Sequence, residues 1–390
     1  MSYNTHNKIK DHIRHIYFNK KYQFIIFEIN SVLFLIRDYL FSNKKNDFIN
    51  NRKLLFSASD HELHSLDTNR LPKFHLTIKK SFFNKNKNEY LNSNIKTFNV
   101  LKNFFKFKNT NLKFHEKVNL LRLLFWGEIW SKYLINSNIK DIYLCNDYNI
   151  YNSALIFFNN HNLIKKKINI FILQHGIPNK EFFPTKNNVT YIVWSKYFLK
   201  EFKSQIRYKH TNTEFTVNNL IHFYRFNSLK IDKNCEIDLQ NIYFVSPGIS
   251  NISIYEQFKK FYLDTKALKN ISTHFLIHPN ELRFLEKKFF KYSKKLQLKN
   301  IIVKNKIRIF ISVSSTANLL ITSQNNILIG LKFFRNNIVS PNLSAIMYPN
   351  YEVNSIDELN EKINLFRKNI KLVKSLIHKQ NKIYENIFFK

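Results

Sequence analysis

Short apolar runs rich in β-branched and aromatic residues recur along the chain, each closed by polar or turn residues. They include Asp141-Ile142-Tyr143-Leu144-Cys145, Ile170-Phe171-Ile172-Leu173, Tyr191-Ile192-Val193-Trp194 and Ile242-Tyr243-Phe244-Val245. Further runs are Phe275-Leu276-Ile277, Ile301-Ile302-Val303, Ile309-Phe310-Ile311 and the stretch 327–331. A short apolar run bounded in this way predicts a buried strand. Between the runs the period changes. Val118, Leu121, Leu124, Phe125, Ile129, Trp130 and Leu134 follow helical spacing, and further helices are expected over 152–160, 254–268, 280–296 and 316–322. Ser195 reads as the N-cap of a helix running to about Phe202, and 355–376 reads as a late amphipathic helix with Glu358, Glu361 and Lys362 on its polar face. Strands alternating with helices predict βαβ units and parallel sheets.

Residues 1–110 are harder to read, with apolar runs at Phe24-Ile25-Ile26-Phe27 and Leu33-Phe34-Leu35-Ile36 among Asn/Lys-rich loops. Polar stretches at 203–216 and 232–241 read as linkers, and no internal repeat is visible. A length of 390 residues exceeds one ordinary core. The expectation is therefore α/β, with Rossmann-like βαβ domains over 1–230 and 241–390 and a hinge near 230–241.

Composition refines this picture. Hydrophobic residues at 44% and aromatics at 16% suffice for packed cores. The richness in Lys, Asn, Ile and Phe resembles the bias of an A+T-rich genome, so a single Lys carries little meaning. The net charge of +35 still favours a polyanionic neighbour, with a solvated basic face as the plain alternative. No RNA-recognition signature, zinc-finger spacing or compact basic arm appears, so no specific nucleic-acid partner is expected. An anionic membrane surface fits better, since each basic side chain near such a leaflet contributes about 1 kcal/mol. Cys145 and Cys235 offer neither a disulfide framework nor a metal cluster and read as buried small hydrophobes in a reducing compartment. Met1 to Lys21 lacks the apolar core of a signal peptide. Glu28, Asn30, Arg37 and Asp38 interrupt the apolar stretch 22–41, which predicts a buried or interfacial helix rather than a membrane span.

The candidate chemistry sits where strands are expected to end. Gln174-His175-Gly176, His278-Pro279 and Ser312-Val313-Ser314-Ser315-Thr316 each follow an apolar run, and open α/β sheets bind ligands at the carboxyl ends of their strands. Only four glycines occur, yet Gly176 and Gly248 both lie beside such ends. Ser246-Pro247-Gly248 supplies a tight turn before a helix whose amino end favours a phosphate. The hydroxyls of Ser314, Ser315 and Thr316 can either donate to a phosphate or cap the next helix. His278 can hydrogen-bond a phosphate oxygen or a leaving group, with Pro279 fixing the turn. Asn146-Asp147 and Gln174-His175-Gly176 end two consecutive strands, so Asp147 and His175 are both candidates for the general base toward a hydroxyl. Alternatively His175 positions an acceptor or phosphate, and Asp147 only caps the following helix. No Asp-x-Asp motif lies near these strands, and His61-Glu62-Leu63-His64 lacks zinc-binding spacing, so no metal or other cofactor is expected. Dinucleotide, P-loop and serine-hydrolase signatures are also missing.

These residues resemble motifs of bacterial GT-B glycosyltransferases that build capsule and lipopolysaccharide. The Ile172-Leu173-Gln174-His175-Gly176-Ile177-Pro178 segment, followed by Tyr191-Ile192-Val193-Trp194-Ser195, looks like a pattern of surface-carbohydrate enzymes. His278-Pro279 followed by Ser314-Ser315-Thr316 is similar to the His-Pro and Ser-Ser/Thr motifs of sialyl-, polysialyl- and Kdo transferases. The resemblance covers about residues 140–350. It implies a GT-B-like fold with a CMP-activated donor of sialic acid or Kdo, whose phosphate and ribose meet His278, Ser314, Ser315 and Thr316. It further implies a glycan or lipid-linked acceptor beside Gln174 and Gly176, and a cytoplasmic protein peripheral to the inner face of the membrane. Those transferases carry an acidic pair before glycine, which this chain lacks, so Asp147 or His175 has to supply the base. CDP-glycerol-type polymerases, which also carry a His-Gly pair, form the alternative. A non-catalytic carbohydrate-binding protein or an RNA-binding protein are the readings outside enzymes.

Overall fold

The structure is a computed structural model. It describes residues 32–33, 35–36, 51–57, 63, 66–77, 97–107, 113–135, 137–147, 149–174, 188–204, 213–218, 220, 235–247, 252–268, 271–277, 301, 306–313, 318, 321–322, 325–331 and 351–388. Described residues up to Leu220 form one compact unit, and those from Cys235 onward form a second.

Among the described residues the first unit is built on a six-stranded sheet of β1 (Lys53–Ser57), β2 (His75–Thr77), β3 (Asp141–Leu144), β4 (Asn169–Leu173), β5 (Thr190–Val193) and β6 (Glu214–Val217). The strands are all parallel, in the order β2-β1-β3-β4-β5-β6. Its helices are α1 (Thr97–Phe107), α2 (Phe114–Ile135), α3 (Ile150–Asn160) and α4 (Lys196–Ser204). Both faces of a parallel sheet are covered, so its central strands read as continuous apolar runs. Leu54, Phe56, Ile142, Leu144, Ile170 and Ile172 pack with Leu123, Trp126 and Trp130 of α2 and Leu155 and Phe158 of α3. Leu55, Cys145, Leu173, Ile192 and Leu220 form a smaller cluster. Helix α2 buries most of its circumference, including Glu116, Asn119 and Arg122, and leaves a stripe through Lys117, Leu121, Glu128 and Lys132 less buried. A helix of that kind belongs inside a unit rather than on its surface. Gly127 lets α2 and α3 approach closely, because a Cβ there would lie 1.9 Å from the Phe158 ring.

The second unit repeats the plan with a parallel sheet of five strands among the described residues. Its strands are β7 (Glu236–Val245), β8 (Ser272–Leu276), β9 (Lys306–Ser312), β10 (Ile327–Leu331) and β11 (Tyr351–Val353), in the order β11-β10-β9-β7-β8. Helices α5 (Ile252–Asp264), α6 (Ile356–Lys368) and α7 (Ile370–Phe388) accompany it. Ile242, Phe244, Ile309, Ile311, Ile327 and Ile329 bury against Phe258 of α5, Leu359, Ile363 and Phe366 of α6, and Val373 and Ile377 of α7. Ser355 caps α6 by accepting from the Glu358 N–H at 3.1 Å, and the Glu358 carboxylate accepts from the Asn354 N–H at 2.8 Å. Such reciprocal bonds satisfy donors that a helix start otherwise leaves open.

The expected α/β class with two parallel sheets holds, and several local readings change. Residues 214–216 and 236–241, read as linker, lie in β6 and β7. The polar opening of β7 survives because it pairs in parallel with β9 up to a bulge between Asp238 and Ile242, where Lys306 and Arg308 lie within 4 Å of Asp238. Ile301, expected in a strand, is helical. The late helix is two helices broken at Asn369. In the poorly legible N-terminal part, residues 32–33 and 35–36 are helical with Leu33 and Ile36 exposed. Cys145 is buried as expected, whereas Cys235 is partly exposed. Among the described residues no helix is long and apolar enough to cross a membrane.

Candidate functional site

In each sheet the chain first places a strand on one side of its starting strand and then crosses back to the other side. The reversal falls between β1 and β3 in the first unit and between β7 and β9 in the second. Ligands of open α/β sheets bind at this switch point, beyond the carboxyl ends of the strands.

In the second unit the pairings Val245↔Leu276 and Val245↔Ser312 bring the ends of β8, β7 and β9 side by side. With a spacing of about 4.8 Å between strands, the chain leaves the sheet at Ile277, Ser246 and Val313 along one short edge. Ser246 is buried and donates its N–H to the Leu276 carbonyl at 3.0 Å. Ser312 is buried with its hydroxyl donated to the Val313 carbonyl at 2.7 Å, and Asn318 donates its amide to the same carbonyl at 3.2 Å. Of the candidates in this unit, Ser246 is described. Gly248, His278, Pro279, Ser314, Ser315 and Thr316 lie outside the described residues, although the three strands that lead to them are adjacent.

In the first unit Leu144 pairs with Ile172, so Asn146-Asp147 and Gln174 leave neighbouring strand ends. His175 and Gly176 lie outside the described residues. The cap of α3 is Asn149, whose Oδ1 accepts from the Asn152 N–H at 2.8 Å. Asp147 is therefore not the cap. Its backbone carbonyl accepts from the Ser153 hydroxyl at 2.9 Å, and its carboxylate Oδ2 accepts from the Tyr191 phenol at 2.5 Å. Asn146 supports this turn from beneath. It is buried, its Oδ1 accepts from the Asn149 N–H at 3.2 Å, and its carbonyl accepts from the buried Asn152 amide at 2.7 Å. The turn is thus fixed by side chains of three asparagines and a serine, and the Asp147 carboxylate at its tip accepts from the phenol. Gln174 occupies a different environment. Its Oε1 accepts from the Trp194 N–H at 3.0 Å and its carbonyl accepts from the Trp194 indole at 2.6 Å. These bonds clamp the end of β4 to the turn after β5 and commit both oxygens of Gln174.

Tyr191, the partner of the Asp147 carboxylate, is the site residue that the sequence pattern hides. Within Tyr191-Ile192-Val193-Trp194 it reads as one more apolar strand position, and its ring does stack on Phe215 at 5.7 Å. The usable signal is that a buried tyrosine needs a partner for its hydroxyl.

A second ionisable cluster lies within the second sheet, away from the strand ends. His274 stacks on Tyr243 with centroids 5.0 Å apart, and its Nε2–H donates to Asn241 Oδ1 at 2.9 Å. Asn241 in turn donates to Asp238 at 3.0 Å. Burial lowers the His274 pKa from its ordinary value, with Asp238 pulling it the other way. Among the described residues no group of His, Cys, Asp and Glu is arranged to hold a metal ion.

Chemically, a carboxylate at a strand end, held by a phenol, can take a proton from a hydroxyl nucleophile. A serine-lined strand end followed by a helix amino end can hold an anion. No protein-family model matches the chain, and neither does any curated protein sequence.

Proposed function

We propose that this chain is a metal-independent glycosyltransferase of the GT-B type, moving a sugar from a nucleotide donor to a glycan or lipid-linked acceptor of a bacterial surface polysaccharide. The donor is a CMP-sugar, sialic acid or Kdo. The observation that carries the reading is the adjacency of β8, β7 and β9, whose ends lead into His278-Pro279, Ser246-Pro247-Gly248 and Ser314-Ser315-Thr316. The described strand ends Val245, Leu276 and Ser312 lie along one sheet edge at a switch point, where such folds bind ligands. Support for the acceptor side comes from Asp147, placed at the corresponding edge of the first sheet.

In this mechanism the base, Asp147 or His175, takes the acceptor hydroxyl proton while the oxygen attacks the anomeric carbon. The bond from that carbon to the nucleotide phosphate breaks, and the phosphate keeps the electron pair. Helix amino ends and His278 stabilise the departing charge without a metal. The net charge of +35 supports a position at the inner face of the cytoplasmic membrane, beside lipid-linked acceptors.

A thermal-shift comparison of CMP, CDP, UDP, GDP and TDP tests the reading. A ligand at a hundred times its Kd stabilises by about 2.7 kcal/mol, a rise of several degrees in Tm. Selective stabilisation by CMP is the expected result. Selective response to CDP replaces the sugar donor with a CDP-glycerol type, and no response to any of the five removes the nucleotide-dependent reading.

A further inference from the structure

The lysines of α4 form a face that the candidate site does not use. Lys196, Lys200 and Lys203 follow one another at spacings of four and three, which aligns them on one side of the helix. All three are exposed, and no described hydrogen bond or ion pair engages them. Leu199 lies among them, and the four residues line an open hollow of about 410 Å³. The opposite side of α4 is anchored: Phe198 packs edge-on to Trp194 at 5.4 Å, and Phe202 stacks near Phe215 at 6.3 Å. Ser195 also accepts from the Phe198 N–H at 3.4 Å at the helix start. The lysine face is therefore presented by a rigidly docked helix. Like charges at these spacings repel and weaken a helix, so folding stability alone does not account for the stripe.

We propose that this face of α4 docks on an anionic phospholipid bilayer, the three ammonium groups meeting lipid phosphates and Leu199 meeting the interface between them. The proposal rests on the membrane-surface reading of the proposed function and names the face responsible. Charge complementarity is the first argument, since three exposed cations on one side of a helix, without an ion-pair partner among the described residues, match a phosphate-covered surface. Chemistry also separates this face from a nucleic-acid groove. Binding of single strands uses exposed aromatic rings or arginines for stacking, whereas Phe198 and Phe202 of α4 are buried and the Tyr197 hydroxyl is buried too. Position supplies a third argument. Helix α4 starts directly after β5, at the carboxyl edge of the sheet that carries Asp147 and Gln174. A bilayer on this face lies beside the edge proposed to receive the acceptor.

The test uses the full chain and sedimentation with phosphatidylcholine vesicles, with and without phosphatidylglycerol. Two charge-matched variants are compared, Lys196→Gln/Lys200→Gln/Lys203→Gln on α4 and Lys371→Gln/Lys379→Gln/Lys382→Gln on the exposed side of α7. The α4 variant is expected to lose about a hundredfold in partitioning to phosphatidylglycerol vesicles, from about 1 kcal/mol per lysine. The α7 variant is expected to stay within a few-fold of the unsubstituted chain. Equal losses in both assign binding to diffuse charge and overturn the α4 face while leaving the membrane reading intact. Failure of the unsubstituted chain to bind anionic vesicles removes both. Loss of oligonucleotide binding by the α4 variant, with vesicle binding unchanged, assigns the face to nucleic acid instead. The nucleotide-induced Tm rise, measured on the same variants, is expected to persist. It separates failure of the docking face from failure of the transferase reading.

Discussion

Gly127→Ala is the sharpest structural perturbation that this fold offers. The added Cβ would sit 1.9 Å from Phe158 Cε2 and 2.0 Å from Cδ2, where ordinary contact begins at 3.4 Å. Phe158 cannot swing aside, because it is fully buried in the core shared by α2, α3 and the first sheet. Either α2 and α3 separate or the ring leaves its rotamer, and overpacking of this kind costs about 1–3 kcal/mol. Alanine gains back at most about 1 kcal/mol of helix propensity over glycine. The clash is severe enough to place the packing cost at the top of its range, so the net loss is about 2 kcal/mol. For a unit of this size that lowers Tm by about 4–8 °C, readable by circular dichroism or dye-based melting. Gly127→Ala combined with Phe158→Leu is expected to lose less than the two separate losses together, since the smaller side chain frees room for the methyl. A Tm equal to or above that of the unsubstituted chain refutes the close approach of α2 and α3.

Tyr191→Phe removes the phenol from Asp147 while keeping the ring. A hydrogen bond to a charged group contributes about 1.5–3 kcal/mol; because Asp147 is partly exposed, water replaces some of this, and kcat for transfer is expected to fall about tenfold with KM nearly unchanged. An unaltered kcat alongside an inactive Asp147→Asn variant removes the positioning role of Tyr191 and leaves that of Asp147. His278→Ala is expected to abolish transfer with Tm preserved, and retained transfer moves the donor site elsewhere. Gln380→Leu deprives the Thr322 and Asn326 carbonyls of donors at 3.3 and 2.9 Å and is expected to lower stability by about 1–3 kcal/mol; unchanged denaturant unfolding contradicts it. The His274 pKa is lowered on folding, so the unfolded chain binds the proton first as pH falls below 6.5. Stability from this residue is therefore full above that value and lost below it, and His274→Phe is expected to flatten the acid side of a Tm–pH plot.

Much of the architecture was legible because buried parallel strands announce themselves as apolar runs, as in β4 and in β10, all of whose residues are buried. Strands that lack this signature were hidden. Strand β6 is an edge strand, largely exposed as Glu214-Phe215-Thr216-Val217, and β2 is a three-residue edge. The polar start of β7 looked like linker because Glu236 and Asp238 are satisfied by Lys306 and Arg308 rather than by burial among apolar side chains. At the candidate site, strand-end logic located Asp147 and Ser246. Its alternative of Asp147 as helix cap missed Asn149, a residue type that caps as well and lies two positions on. Tyr191 was invisible for a different reason, because its contact with Asp147 spans 44 positions of sequence. Gly127 was equally hidden, since a mid-helix glycine acquires meaning only once Phe158 stands opposite.

The two sheets share one strand order, with the second strand outside the first and the third, fourth and fifth on the other side. No sequence repeat accompanies this, because the order demands only apolar strands and right-handed crossovers. What each unit adds at its reversal differs chemically. The first sheet ends in Asn146-Asp147, a carboxylate on a turn fixed by Asn149, Asn152 and Ser153. The second ends in Ser246 and Ser312, hydroxyls on neighbouring strands. The Asp147 carboxylate accepts from the Tyr191 phenol, whereas the Ser312 hydroxyl is donated to the Val313 carbonyl, so of these groups the carboxylate is the one that could act on a proton in the proposed transfer. A binding protein without turnover needs no such proton acceptor. Asp147→Asn is therefore the substitution that divides the two classes: a transferase keeps its nucleotide-induced Tm rise and loses transfer, while a carbohydrate-binding protein shows no transfer activity with either residue.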